Sequence, residues 1–225
     1  MNKDRNAPSR KAFDPAKLQL LLEHIGRLLP DEKERQAFYS CSRTPPPESL
    51  RLNALQAQSQ HLLPHLHQFG QDVPWCGEAF VFPESEKGLG QMLEHAMGAY
   101  YVQAKAPMLA VEVLAPEPGE RVLDLCAAPG GKSTQIAARM QNSGLLLVNE
   151  MQSKRMPALV GNLERCGVAN YLLSQAPGAM LARYFHNFFD RILVDAPCSG
   201  DGIVRKDQNM LNYWSPIDAQ RLAQQ

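Results

Sequence analysis

The chain has 225 residues, enough for one large domain or two small ones. Its 23 Lys and Arg balance 23 Asp and Glu, which excludes a global attraction to polyanions, so any nucleic-acid face must be local. The five cysteines (Cys41, Cys76, Cys126, Cys166, Cys198) stand singly, which argues against a disulfide framework and a structural zinc site. No signal-peptide core and no apolar run of membrane-span length is present, so the expectation is a cytoplasmic protein off the membrane.

The first residues mix Lys3, Arg5, Arg10, Lys11 and Lys17 with Asp4 and Asp14, and read as a solvated tail. Asp14-Pro15 is a helix start, with a capping acid followed by proline. Leu18, Leu21, Leu22, Ile25, Leu28 and Leu29 then recur at helical spacing until Pro30, and a second helix is expected over Glu32 to Tyr39. Thr44-Pro-Pro-Pro47 is a stiff connector. Ser49 to Asn53 alternates as a strand, Ser59 to Leu66 reads as helical, and Ala79 to Phe82 reads as a strand. Together these predict a small α+β domain over residues 1–95. His61, His65 and His67 lie close together in a polar context without acidic or cysteine partners and read as surface histidines.

From Ala106 strands and helices alternate, the signature of a parallel sheet. Helices are expected at Pro107 to Leu114, Lys132 to Met140, Ser153 to Cys166 and Ala179 to Phe185. Strands are expected at Arg121 to Leu125, Leu145 to Val148, Tyr171 to Leu173 and, as a short buried strand, Ile192 to Val194. Trp214-Ser-Pro216 is expected to cap a last helix. Residues 96–225 thus predict an α/β domain with a Rossmann-like sheet.

Two loops carry the chemistry. Val122-Leu-Asp-Leu-Cys-Ala-Ala-Pro-Gly-Gly-Lys-Ser-Thr134 joins a strand to a helix, where glycines admit a ligand to the backbone and the helix start offers N–H groups to an anion. Glu150 ends the next strand, about 20 residues on, where an acid hydrogen-bonds ribose hydroxyls. Loop and acid describe an adenosine-containing ligand. Gly131-Lys132-Ser133 imitates a phosphate-binding loop, but Cys126 occupies the place of that loop's first glycine and Pro129 lacks an N–H. An amino-acid carboxylate fits better than a triphosphate, which points to S-adenosylmethionine, with an NTPase as the rival. The second loop, Asp195-Ala-Pro-Cys198-Ser-Gly200, sets an acid and a thiol at the mouth of the same crevice. It suits covalent chemistry on a base, or else it is a plain turn around a small apolar thiol.

With Val73-Pro-Trp75, Tyr100-Tyr-Val-Gln103, Asn149-Glu150 and Val204-Arg-Lys206, these two motifs closely resemble the Sun/RsmF-type family of RNA cytosine-5 methyltransferases, across nearly the whole chain. Pro177 and Phe188-Phe189-Asp190 are similar to its ribosomal-RNA branch. The resemblance implies a class I methyltransferase sheet behind an RNA-binding-type N-terminal domain, and a monomer that acts on RNA without a metal. It implies that Cys126, Ala127, Ala128, Pro129, Gly130, Gly131 and Lys132 contact the methionine end of S-adenosylmethionine, that Glu150 holds the ribose with support from Arg155, and that Asp195 faces donor and target base. The family has an acid for adenine where this chain has Ser174-Gln175, so Gln175 is the adenine candidate without a charge.

In such enzymes a thiolate adds to carbon 6 of cytosine, carbon 5 becomes nucleophilic and takes the methyl group, and loss of the carbon-5 proton expels the sulfur. The base must be unpaired or flipped out. By the resemblance, the attacking cysteine belongs to a later Thr-Cys motif and Cys198 assists product release. No Thr-Cys pair occurs in these 225 residues, and the sheet is expected to be incomplete in its C-terminal half, with four strands and the Ile192 strand left as an exposed apolar edge prone to aggregation. The expectation is the front part of a longer enzyme, with a catalytically inactive donor- or RNA-binding fragment as the alternative.

Overall fold

The computed structural model describes residues 15–83, 88–198, 205, 211–212 and 214–215. The capping Asp14, the basic residues up to Lys11, Ser199-Gly200, Val204, Lys206 and the helix after Ser215 lie outside the described residues.

Two helices come first, α1 (Pro15–Gly26) and α2 (Glu32–Arg43). Asp31 caps α2 by accepting from the Glu34 N–H at 3.0 Å, and Glu32 and Glu34 add negative charge to its first turn. The helix runs four residues past Tyr39, until the proline run blocks it. Leu18, Leu21 and Leu22 of α1 bury against Leu211 and Trp214, and Lys17 Nζ donates to the Asn212 carbonyl at 2.9 Å. The described residues up to 46 group with those from 197 on as one compact unit, and the described residues of 47–196 form another.

The second unit begins with an antiparallel sheet of β1 (Glu48–Leu52), β2 (Gln71–Val73), β3 (Cys76–Phe82) and β4 (Tyr100–Val102) in the order β2-β3-β1-β4. Helices α3 (Leu63–Phe69) and α4 (Leu93–Ala96) lie between these strands in sequence. Leu50, Leu52, Phe80 and Phe82 bury with Leu66 of α3. Ala79 and Val81, which alternate to the other face, bury with Val73, Cys76 and Met108. Arg51 pairs with Ala79 on one side and Tyr101 on the other, so it too sits on that second face.

Helix α5 (Lys105–Leu114), which supplies Met108, leads into strand–helix alternation. It comprises β5 (Arg121–Asp124), α6 (Gly131–Arg139), β6 (Leu145–Asn149), α7 (Met156–Arg165), β7 (Tyr171–Ser174), α8 (Gly178–Tyr184) and β8 (Arg191–Leu193). The strands are parallel in the order β7-β6-β5-β8. Val122, Leu146 and Val148 face Ile136, Leu159 and Leu163 of α6 and α7, while Leu123 and Leu147 face Leu181 of α8. Helices therefore cover both faces of a Rossmann-like sheet.

The last strand is the exposed apolar edge expected of an incomplete sheet, and not buried along its whole length as the run Ile192 to Val194 alone suggests. Among the described residues it pairs only with β5, and while Leu193 is buried, Ile192 and Val194 are 51% and 56% exposed. An apolar run signals a strand, but an edge position decides that its flank stays open.

The two sheets of this unit are tied by polar contacts. Asn53 Nδ2 donates to the carbonyls of Gly98 (2.9 Å) and Cys166 (2.8 Å), and Arg165 donates to the carbonyls of His95 and Tyr100 while its guanidinium lies over the Tyr101 ring. Gly98, at φ 76°, is required there: a Cβ would stand 1.8 Å from the Arg165 carbonyl oxygen.

Candidate functional site

The loops leaving the carboxyl ends of β5, β6, β7 and β8 converge, as ligand-binding loops do in open parallel sheets. Asn149, the last residue of β6, ties three of them. Its Nδ2 donates to the carbonyls of Leu125 and Ala176, each at 3.0 Å, and its Oδ1 accepts from Ser174 Oγ at 2.7 Å and the Ala176 N–H at 3.0 Å. Within the turn after β5, the Ala127 N–H donates to the Asn149 carbonyl and the Gly130 N–H to the Ala127 carbonyl.

The two glycines of this turn have different reasons. Gly130 adopts φ 106°, which a side chain resists. Gly131 is where the first sheet approaches: a Cβ would lie 2.5 Å from Gln103 Oε1 and 3.2 Å from a Tyr101 ring carbon. At Gly131 the neighbour that excludes a side chain is the protein itself, not the ligand expected from the sequence.

The charges around the turn are arranged in pairs. Lys132 Nζ forms an ion pair with Asp195, whose side chain is more than half exposed. Glu150 is 4% exposed, and its Oε1 accepts from the Gln152 N–H at 2.8 Å. Arg155 Nη1 stands 3.2 Å from Glu150 Oε2 without the alignment of a hydrogen bond, so that buried oxygen has a charge beside it but no donor aimed at it among the described residues. Arg155 also donates to the Ala128 carbonyl and so braces the turn. Gln175 uses its amide N–H groups on the Met151 carbonyl (3.1 Å) and Ser153 Oγ (2.8 Å), which leaves its oxygen as the group for a ligand.

Two acidic protons are held high. Asp124, 1% exposed, is lifted from 3.8 to about 6 by burial, against the opposing Ser133 hydrogen bond (2.6 Å) and the Lys132 charge. The Cys126 thiol is pushed up by burial and by the charges of Asp124, Glu150 and Asp195, which keeps it protonated and a poor nucleophile.

The structure thus brings Cys126 to Lys132, Glu150, Arg155, Gln175 and Asp195 to one end of the parallel sheet. Cys198 is exposed and belongs to the other compact unit. Asp124 and Asn149 carry roles the sequence left unassigned. The signal for Asp124 was an acid closing the apolar run Val122-Leu123. The turn also spends two amides on internal bonds, which leaves a poor cradle for a triphosphate and counts against the NTPase reading.

Elsewhere, ligand atoms of Cys76, Glu78 and Glu112 lie within 4.8 Å of one another. Arg139 answers these carboxylates at 2.7 Å from Glu112 and 3.2 Å from Glu78, and the Cys76 thiol is pushed up to about 12 by burial and Glu112. The histidines at 61, 65 and 67 are exposed, as expected, but His67 has an acidic partner, contrary to expectation: its Nδ1 lies 3.2 Å from Asp72, which β2 brings beside α3. No helix among the described residues is long and apolar enough to cross a membrane.

Residues 111–225 match the family model for the 16S rRNA methyltransferase RsmB/F, and residues 19–105 match that for the N-terminal domain of 16S rRNA methyltransferase RsmF. The ribosomal RNA small subunit methyltransferase F of Erwinia tasmaniensis is 38% identical over 223 residues, which cover 96% of this chain and 46% of that protein. The protein of the same name from Pectobacterium carotovorum is 36% identical, over 94% of this chain and 46% of its own length. A crystal structure of a methyltransferase homologue from Pyrococcus horikoshii superposes with a TM-score of 0.67 at 27% identity, covering 90% of this chain and 74% of that one. The chain spans about half the length of the curated relatives it matches. On both family matches and these identities, the chain belongs to the RsmB/F family of 16S rRNA methyltransferases.

Proposed function

We propose that the turn from Cys126 to Lys132, with Glu150, holds S-adenosylmethionine, and that the longer protein uses it to methylate carbon 5 of a cytosine in 16S rRNA. The observation that carries the reading is the buried Glu150 Oε2, an acceptor without a hydrogen-bond donor among the described residues, just past the end of the strand beside a glycine turn. Paired ribose hydroxyls are the donors such an oxygen suits. The N–H groups that open α6 have no intrahelical acceptor and suit the donor's carboxylate. When bound, S-adenosylmethionine supplies an electrophilic methyl group on sulfur.

The roles of this chain's residues follow. Glu150 orients the ribose, Arg155 holds the turn and the Glu150 carboxylate in place, and the Gln175 oxygen accepts from the adenine amine. Lys132 holds Asp195 by their ion pair, and the Asp195 carboxylate meets the target base. Cys198 assists product release, and the N-terminal residues 1–95 serve as an RNA-binding-type domain. The nucleophile is assigned to a Thr-Cys motif, a pair that these 225 residues do not contain.

Methyl transfer from tritiated S-adenosylmethionine to 16S rRNA tests the reading, with the 225-residue chain and a version extended through the Thr-Cys segment assayed side by side. Label in 5-methylcytosine with the extended version alone is the expected result. Transfer by the shorter chain refutes the assignment of the nucleophile, and label in any other nucleoside refutes the proposed reaction.

A further inference from the structure

The first sheet reaches the donor turn through one buried cation. Arg51, the penultimate residue of β1, is 3% exposed, and its Nη2 donates to the Gly131 carbonyl at 3.2 Å and to Thr134 Oγ1 at 2.9 Å. Both acceptors lie in the first turn of α6, eighty or more residues away in sequence. Arg51 Nε is buried without a hydrogen-bond partner among the described residues, and no carboxylate hydrogen-bonds to this guanidinium there. Tyr101 and Gln103, from the neighbouring strand and its end, press on the same glycine.

A desolvated guanidinium beside the positive end of a helix is unfavourable by itself, because the helix dipole repels it. Burial alone pulls the Arg51 pKa below its usual value, the direction expected of an incompletely answered charge. The arrangement becomes favourable when an anionic group sits at the helix start.

We propose that Arg51 is a positioning residue for recognition of the donor's carboxylate: it fixes the first turn of α6 from the first sheet and adds positive potential where that carboxylate binds. The inference rests on the donor-site reading and extends it. The first sheet, whatever RNA it meets, forms part of the methyl-donor site.

Calorimetry with two ligands separates this role from a merely structural one. S-adenosylhomocysteine carries the amino-acid carboxylate, whereas 5′-methylthioadenosine keeps the adenosine and lacks it. Arg51→Gln is expected to weaken S-adenosylhomocysteine about tenfold while 5′-methylthioadenosine changes by less than about twofold, and Arg51→Lys is expected to fall between Arg51→Gln and the parent. Equal losses for both ligands, or no loss for either, overturn the proposal. Thr134→Val removes one acceptor at constant shape. It serves should Arg51→Gln fail to fold, with a loss of about threefold expected for S-adenosylhomocysteine alone and unchanged affinity overturning the proposal. Failure of the unmodified chain to bind S-adenosylhomocysteine overturns the donor-site reading itself, and this inference with it.

Discussion

Replacing Asp124 by Asn isolates the energetic consequence of placing an acid at the end of a buried strand. The carboxyl group is 1% exposed, receives one hydrogen bond from Ser133 Oγ at 2.6 Å, and has no partner for Oδ1 among the described residues. Burial raises it from 3.8 to about 6, so the folded state keeps its proton to higher pH than the unfolded state does. Stability from this group is therefore greatest below pH 4 and is lost as the pH rises to about 6, a total of about 3 kcal/mol. Asn has the same shape, still accepts from Ser133 and carries no charge. Asp124→Asn is expected to match the parent near pH 4 and to exceed it by about 2 to 3 kcal/mol at pH 7.5. Urea denaturation followed by circular dichroism from pH 4 to 8 measures both curves. Parallel curves, or a variant less stable than the parent at pH 7.5, refute the reasoning.

Two further substitutions test the fold. Gly98→Ala places a Cβ at 1.8 Å from the Arg165 carbonyl in a backbone with φ 76°, and is expected to lower stability by more than about 2 kcal/mol in thermal denaturation. A loss below about 1 kcal/mol contradicts the tight approach of the two sheets. Ile192→Lys puts a charge on the exposed edge strand and is expected to reduce light scattering by the concentrated chain without lowering its melting temperature. Unchanged scattering contradicts the edge as the source of association.

The strands and helices of the parallel sheet were legible because each is an apolar run of the right period between turn residues. Arg121 to Asp124 ahead of the glycine turn is the clearest case. Short elements were not: Gln71–Val73 and Tyr100–Val102 have three residues each, too few for a period, and owe their strand state to pairing with distant partners. The turn, Glu150 and Asp195 could be read from residue type and spacing. The contacts of Asn149, the closeness of Gln103 to Gly131 and the reach of Arg51 into α6 depend on side chains meeting across long sequence separations, and no local pattern records them.

The most direct test of the account is a crystal structure of the chain with S-adenosylhomocysteine. Ribose hydroxyls are expected within hydrogen-bonding distance of Glu150 Oε2, with the amino-acid end of the ligand against the turn from Cys126 to Lys132. A ligand seated elsewhere, or one that leaves Glu150 Oε2 without a donor, contradicts it.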